Sequence, residues 1–381
     1  MTLRQRGGAA GSATATAEPV VKDLGTLDGV SRDLRESPFP IEADLSGLPD
    51  GSYQLSVEVL DQSRSLGTAT LGIRLHSGLD ALVTKLEKTA ARLTGPARAE
   101  VLFPVDRIRN VNRGRIELRT VDVASELKGA ETVTRAAGNG NDPLRGRAGD
   151  LERHYMLEPA GEIMPYRLYV PAAYNRSRAF PLVIALHGLG QTEDSFFDAY
   201  GKTLPKLAEQ RGYIVAAPLG YRVDGFYGWG VAAPPEDVVA RRRQELSEQD
   251  VMEVLKQVKG LYNIDETRIY LMGHSMGAIG TWRIASKYPD IWAALGPFAG
   301  FGSPATAERV KHIPQFVVHG DADPTVNVQG SRAMVDDVKR LGGVVKYVDV
   351  PGGDHINVVA PNLAAMFDFF DAHRKASRTS Q

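Results

Sequence analysis

Arg268-Ile269-Tyr270-Leu271-Met272-Gly273-His274-Ser275-Met276-Gly277 is the stretch that decides how the rest of the chain reads. Ile269–Met272 is apolar without alternation, as a strand covered on both faces requires. The glycine-flanked serine follows with no linker, and Ala278–Lys287 then reads as a helix. A serine on so tight a strand-to-helix turn is held in a strained backbone with its hydroxyl exposed. The flanking glycines let the backbone pass close to its neighbours. The N-terminus of the following helix favours negative charge developing at the same spot. The pattern points to nucleophilic chemistry at Ser275.

The neighbouring sequence has the same texture. Pro181–Leu186, Tyr213–Ala217 and Gln315–Val318 are further continuous apolar runs, each the length of a buried strand. Between them, Ser247 and Asp250 look like caps of a helix with the stripe Val251, Val254, Leu255, Val258 and Leu261. Alternating strands and helices over the last 225 or so residues predict an α/β domain with a mostly parallel sheet flanked by helices.

A serine needs a base, and the base needs an orienting carboxylate. Of eight histidines, His355 lies in the glycine-rich loop Pro351-Gly352-Gly353-Asp354-His355 that follows the strand-like Val345–Val350. His319 ends a strand and His187 begins a loop, so both belong near the same edge. His274 adjoins the nucleophile and points away from it. Asp321 and Asp323 are both candidate acids in His319-Gly320-Asp321-Ala322-Asp323-Pro324. Asp354 is the weaker choice, because side chains of adjacent residues diverge. An oxyanion hole needs two backbone N–H groups. Met276, the residue after the nucleophile, supplies one; Leu189 in His187-Gly188-Leu189-Gly190 is the choice for the second, with Gly188 its competitor.

With these residues in place, the chain from about 150 to 375 resembles the α/β-hydrolase esterases related to polyhydroxybutyrate depolymerases and feruloyl esterases. The likeness rests on Tyr169-Val170-Pro171 leading to Leu186-His187-Gly188, and on Tyr262-Asn263-Ile264-Asp265 with Arg268-Ile269-Tyr270. It continues in Gly280-Thr281-Trp282 and in His319-Gly320-Asp321-Ala322-Asp323-Pro324-Thr325-Val326. The resemblance implies the acid at Asp323, the base at His355 and the chain order Ser275, Asp323, His355. It also implies hydrolysis through an acyl-enzyme with no metal and no organic cofactor. Two features depart from the pattern. The loop Gly225–Gly230 and the charged segment Pro234–Asp250, with Arg241-Arg242-Arg243, look inserted before the helix. Trp229 and Tyr227 in that loop are candidate pocket residues for an aromatic acyl group, with His187 and His274 beside them. The cysteines that staple many exported depolymerases are absent.

Upstream the texture differs. Tyr53, Leu55, Val57 and Val59 alternate with polar residues, as do Ala69, Leu71, Ile73 and Leu75, which predicts a small antiparallel unit with one buried face. A helix from about Ser77 follows and stops at Gly95-Pro96. The organisation expected is a flexible tail over 1–20, a β-rich and helical accessory domain with its linker over 21–145, and the catalytic domain over 146–376. The break is placed in the Gly138–Pro143 stretch. Architecturally the accessory domain resembles the immunoglobulin-like modules of some bacterial esterases, a likeness of fold that says little of function. Its role is to brace the catalytic domain, to mediate oligomerisation or to bind a polymer.

Composition narrows the classes. The 381 residues carry 45 Lys plus Arg against 46 Asp plus Glu, a net charge of −1, which argues against a nucleic-acid binder. Five arginines within 107–119 have no aromatics among them and read as a solvated face or a set of ion pairs. No apolar run approaches the roughly 18 residues that span a bilayer. With no cysteine, disulfides and thiolate chemistry are excluded. No leader is visible in residues 1–20, so the compartment is open: cytoplasmic, or periplasmic or extracellular if a leader has been removed. Oligomeric state is open too. Two other functions compete with an esterase acting on a small-molecule or polymeric ester. One is a serine peptidase of the prolyl-oligopeptidase type, disfavoured because some 130 residues cannot make its propeller. The other is a polymer-binding protein with a vestigial hydrolase domain.

Overall fold

The computed structural model describes residues 2–5, 20–27, 42–116, 123–136 and 144–376. The tail expected over 1–20 lies almost wholly outside the described residues, as do the break at 138–143 and Arg119. The chain divides into two compact units, one of 1–89 with 104–131 and one of 90–103 with 132–381.

The first unit holds a four-stranded sheet in the order β2-β1-β3-β4, made of β1 (Thr2–Gln5), β2 (Val20–Asp23), β3 (Gly51–Asp61) and β4 (Arg64–Leu75). β3 and β4 pair antiparallel with Tyr53 opposite Ile73, Leu55 opposite Leu71 and Val57 opposite Ala69. The alternating apolar residues are thus cross-strand partners on one face, as their period of two demands. Burial of that face is partial: Tyr53 is enclosed, whereas Leu71 stays 62% exposed. Among the described residues this unit has a single sheet and not the two packed sheets of an immunoglobulin-like sandwich.

Helix α1 (Leu79–Ala90) follows, then α2 (Gly95–Asn112) and α3 (Val123–Ala136). Ser77 is not a cap of α1; its amide and hydroxyl both bind Asp50 at 2.6 Å. Gly95-Pro96 opens α2, because a proline in the first turn lacks only an N–H that would be unpaired anyway. Within this unit Arg107 pairs with Glu126 at 3.4 Å and Arg109 with Glu87, so part of the arginine run is spent on local ion pairs.

The second unit is built on an eight-stranded sheet. In chain order its strands are β5 (Gly149–Leu157), β6 (Glu162–Val170), β7 (Phe180–Leu186), β8 (Ile214–Pro218), β9 (Ile264–His274), β10 (Ala294–Phe298), β11 (Gln315–Gly320) and β12 (Val345–Val350). The spatial order is β12-β11-β10-β9-β7-β8-β6-β5, with β6 antiparallel to both its neighbours and every other pair parallel. All seven residues of β7 are buried, which explains its unbroken apolar run. Alternate residues serve the two faces. Leu182, Ile184 and Leu186 pack with α6 (Val238–Leu261), α7 (Met276–Lys287), α8 (Pro304–Val310) and α9 (Gln329–Arg340). Val183 and Ala185 pack with α5 (Thr203–Arg211) and α10 (Val359–Asp371), after the short α4 (Ser195–Asp198). Each fully buried aliphatic side chain adds about 1.5–3 kcal/mol to holding this sandwich.

α6 corrects one expectation. It begins at Val238, capped by the Asp237 carboxylate accepting from the Ala240 amide, so Arg241–Arg243 lie on the helix and are not an insertion before it. Ser247 and Asp250 are buried inside it. Ser247 accepts from the Tyr227 amide at 3.0 Å and Asp250 from the Tyr221 amide at 2.7 Å, so they hold the 220–228 loop. No helix among the described residues is long and apolar enough to cross a membrane.

Candidate active site

Ser275 stands between the end of β9 and the start of α7 with φ 58° and ψ −119°. That backbone is costly for a residue with a Cβ, of order 1–3 kcal/mol, and persists only where the surroundings enforce it. The enforcement comes from close approach. A Cβ on Gly277 would meet the Leu186 carbonyl oxygen at 1.9 Å, and one on Gly273 would meet the Gly277 carbonyl at 2.2 Å. Both positions admit only glycine, and the turn is thereby pressed against the end of β7. The Ser275 amide is fixed by the Phe298 carbonyl at the end of β10, at 2.9 Å.

The loops after β11 and β12 meet beside this turn. The Asp321 and Ala322 amides donate to Val350 and Gly353 carbonyls, and the Asp321 carboxylate accepts from the Gly352 amide at 2.6 Å. Within that lattice His355 Nδ1 lies 2.7 Å from Asp323 Oδ2. A carboxylate only accepts, so Nδ1 carries the proton and Nε2 is left as the basic nitrogen. The second Asp323 oxygen accepts from the Thr325 and Val326 amides at 2.7 and 2.9 Å. Burial alone would push the Asp323 pKa up, but the bonds from His355 and these amides hold it below the usual carboxylate range. The alternative acids are engaged elsewhere: Asp321 as above, and Asp354 with the Ile356 and Asn357 amides.

His319, also a sequence candidate, places Nε2 3.1 Å from the same Asp323 oxygen and Nδ1 2.7 Å from the Ser331 hydroxyl. It is fully buried, and burial lowers its pKa. It braces the acid from behind, a role the sequence did not disclose.

The loop after β7 lies against the turn, for a Cβ on Gly188 would stand 3.4 Å from the Ser275 Cβ. Its amides are mostly spent: Gly188 donates to Gln191 Oε1 at 2.9 Å, Gly190 to the Val223 carbonyl and Gln191 to the Gly188 carbonyl. The Leu189 and Met276 amides have no intramolecular acceptor among the described residues.

Three of the four expected pocket residues are wall and not lining. Tyr227 is fully enclosed, its amide on Ser247 and its hydroxyl donating to the His187 carbonyl. His187 is buried with its ring nitrogens 2.8 and 2.7 Å from the Gly188 and Leu219 carbonyls, tying the ends of β7 and β8. His274 is buried as well, with Nδ1 2.9 Å from the Tyr200 hydroxyl and Nε2 2.7 Å from the His355 carbonyl. None has a face to offer a ligand. Trp229 alone is half-buried, with the Lys287 ammonium 5.8 Å from its ring centroid. Among the described residues no cluster of three or more His, Asp or Glu is placed to hold a metal ion.

Comparisons with known proteins agree with this architecture. Residues 159–344 match the family model described as a putative esterase. Feruloyl esterase B of Neurospora crassa is 29% identical over 133 residues, covering 35% of this chain and 43% of that protein. Poly(3-hydroxyalkanoate) depolymerase C of Paucimonas lemoignei is 32% identical over 126 residues, or 32% of this chain and 28% of that one. The chain spans between 22% and 52% of the length of such curated relatives. Among solved structures, an S-formylglutathione hydrolase from Agrobacterium tumefaciens superposes with a TM-score of 0.51 at 16% identity, over 61% of this chain and 98% of that one; this likeness concerns the fold. By sheet order, matched family model and relatives together, the chain carries an α/β-hydrolase fold whose residues 159–344 are similar to esterases, feruloyl esterases and polyhydroxyalkanoate depolymerases among them.

Proposed function

We propose that the chain is a serine carboxylic-ester hydrolase with Ser275, Asp323 and His355 as its triad. The observation that carries this reading is the Asp323–His355 contact at 2.7 Å, which leaves Nε2 as the free base at the sheet edge that also bears the strained Ser275. In the first step His355 Nε2 takes the Ser275 hydroxyl proton while Oγ attacks the ester carbonyl. The carbonyl oxygen becomes an oxyanion held by the Leu189 and Met276 amides. Collapse breaks the bond to the alcohol oxygen, which leaves with the proton from His355. Water then repeats the sequence on the acyl-enzyme: His355 takes its proton, the acid is released and Ser275 recovers its hydrogen. Asp323 stays ionised throughout and stabilises the imidazolium. None of these steps calls for a metal or an organic cofactor.

The relatives' names favour a feruloyl ester or a polyhydroxyalkanoate, and half-buried Trp229 is the aromatic candidate for the acyl side. The test is a p-nitrophenyl ester series from acetate to decanoate, run beside methyl ferulate and an aminoacyl-anilide, for wild type and Ser275→Ala. Ester turnover lost in the variant is the expected result. Anilide cleavage faster than ester cleavage would replace the proposal with a peptidase, and equal inertness of both proteins with a binding protein.

A further inference from the structure

Tyr200 and His274 take no part in the chemistry, yet both are buried with polar groups aligned in one direction. The Tyr200 hydroxyl is 2.9 Å from His274 Nδ1, and His274 Nε2 is 2.7 Å from the His355 carbonyl oxygen. A carbonyl only accepts, so Nε2 carries the His274 proton and Nδ1 accepts from Tyr200.

We propose that Tyr200 and His274 form a hydrogen-bonded brace that fixes the backbone of the base, His355. The proposal rests on the triad reading above. In it Tyr200 and His274 are positioning residues: they touch no substrate, and they act by holding the loop that bears the base in place. Two further observations support it. Tyr200 is held at φ 50°, a left-handed backbone that a bulky aromatic adopts only when its surroundings compel it. The rings of His274 and His355 lie 4.7 Å apart, so the bonded carbonyl and the packed ring fix the same loop at two points. Burial holds the His274 pKa down at about 4, and a neutral ring with one N–H is what the row requires at any pH above that.

The test uses the full chain with Tyr200→Phe, His274→Phe and His274→Gln. Phenylalanine keeps ring volume and removes the polar atoms, whereas the glutamine amide can return a donor near the place of Nε2. We expect Tyr200→Phe to lower kcat on the order of tenfold, the scale of one hydrogen bond. His274→Phe should lower it roughly 10²-fold, as a misplaced base does, with KM within about twofold in both. His274→Gln should recover most of the His274→Phe loss, which a merely structural role would not produce. Each variant is also reacted with a fluorophosphonate, whose rate reports serine activation without any choice of substrate. If Tyr200→Phe and His274→Phe keep wild-type kcat and labelling rates while His355→Ala abolishes both, the brace is wrong and the triad stands. If His355→Ala itself labels at the wild-type rate, the triad reading has failed instead. Should His274→Phe not fold, Tyr200→Phe decides alone.

Discussion

Two histidines at different places in the α/β unit, His154 largely buried and His274 fully so, meet opposite fates. His154, on β5, has Nδ1 2.5 Å from a Glu100 carboxylate oxygen, while Arg153 Nε holds the other oxygen at 2.7 Å. Burial opposes charge there, but the Glu100 carboxylate, helped by Glu152, raises the His154 pKa to about 9. His274, at the carboxyl edge of the parallel strands, hydrogen-bonds a phenol and a carbonyl, and burial takes its pKa down to about 4. The first cluster is an ion triad that fastens a helix to a strand. The second gathers His274, His319 and His355 about one carboxylate, Asp323, and burial keeps His274 and His319 neutral. Substitutions at the carboxyl edge should therefore move rate and leave stability alone, and those at Glu100 and His154 should do the reverse.

Ser275→Ala gives the sharpest form of that contrast: a loss of roughly 10⁶-fold in kcat on the best ester, with the melting temperature unchanged. Asp323→Asn should cost about 10⁴-fold in kcat/KM, because the amide favours the wrong His355 tautomer. A loss below tenfold would show that His355 is not oriented by Asp323. On the other side, Glu100→Gln leaves Arg153 and His154 buried without their counter-charge. Urea unfolding should report a loss of about 3–5 kcal/mol, with kcat per folded molecule intact. A fall in kcat equal to that of Asp323→Asn would erase the distinction between the two regions.

The smallest effect is one of pH. The folded-state pKa of His154, about 9, lies above the ordinary 6.5. The ion triad therefore contributes fully below pH 6.5, and its contribution is lost as pH rises through about 9. Wild type should lose stability relative to His154→Gln between pH 6.5 and 9, with the two converging above. A gap that stays constant across that window would contradict the charge assigned to His154.

Much of this was legible in the sequence. Ile269–Met272, Pro181–Leu186 and Phe316–Val318 are unbroken apolar runs because both sheet faces are covered, and the glycines flanking the serine are compelled because a Cβ at Gly273 or Gly277 would stand within 2.2 Å of a carbonyl oxygen. The start of α6 was hidden because Val238–Gln244 presents charge where a stripe would be sought. Ser247 and Asp250 belong to the residue types that cap helices and also to those that anchor a loop from within one. Tyr227 and His187 were read as pocket residues since an aromatic in a glycine-rich loop has no local mark of burial. The roles of Tyr200 and His319 depend on partners that share no local pattern with them, and Tyr200 and His274 stand 74 positions apart.

The measurement that bears most directly on the central claim is fluorophosphonate labelling followed by peptide mapping, in wild type and His355→Ala. One adduct on the peptide bearing Ser275, forming at least 10³-fold more slowly in the variant, is what an activated serine predicts. An adduct at another residue, or one forming at Ser275 equally fast without His355, would contradict it.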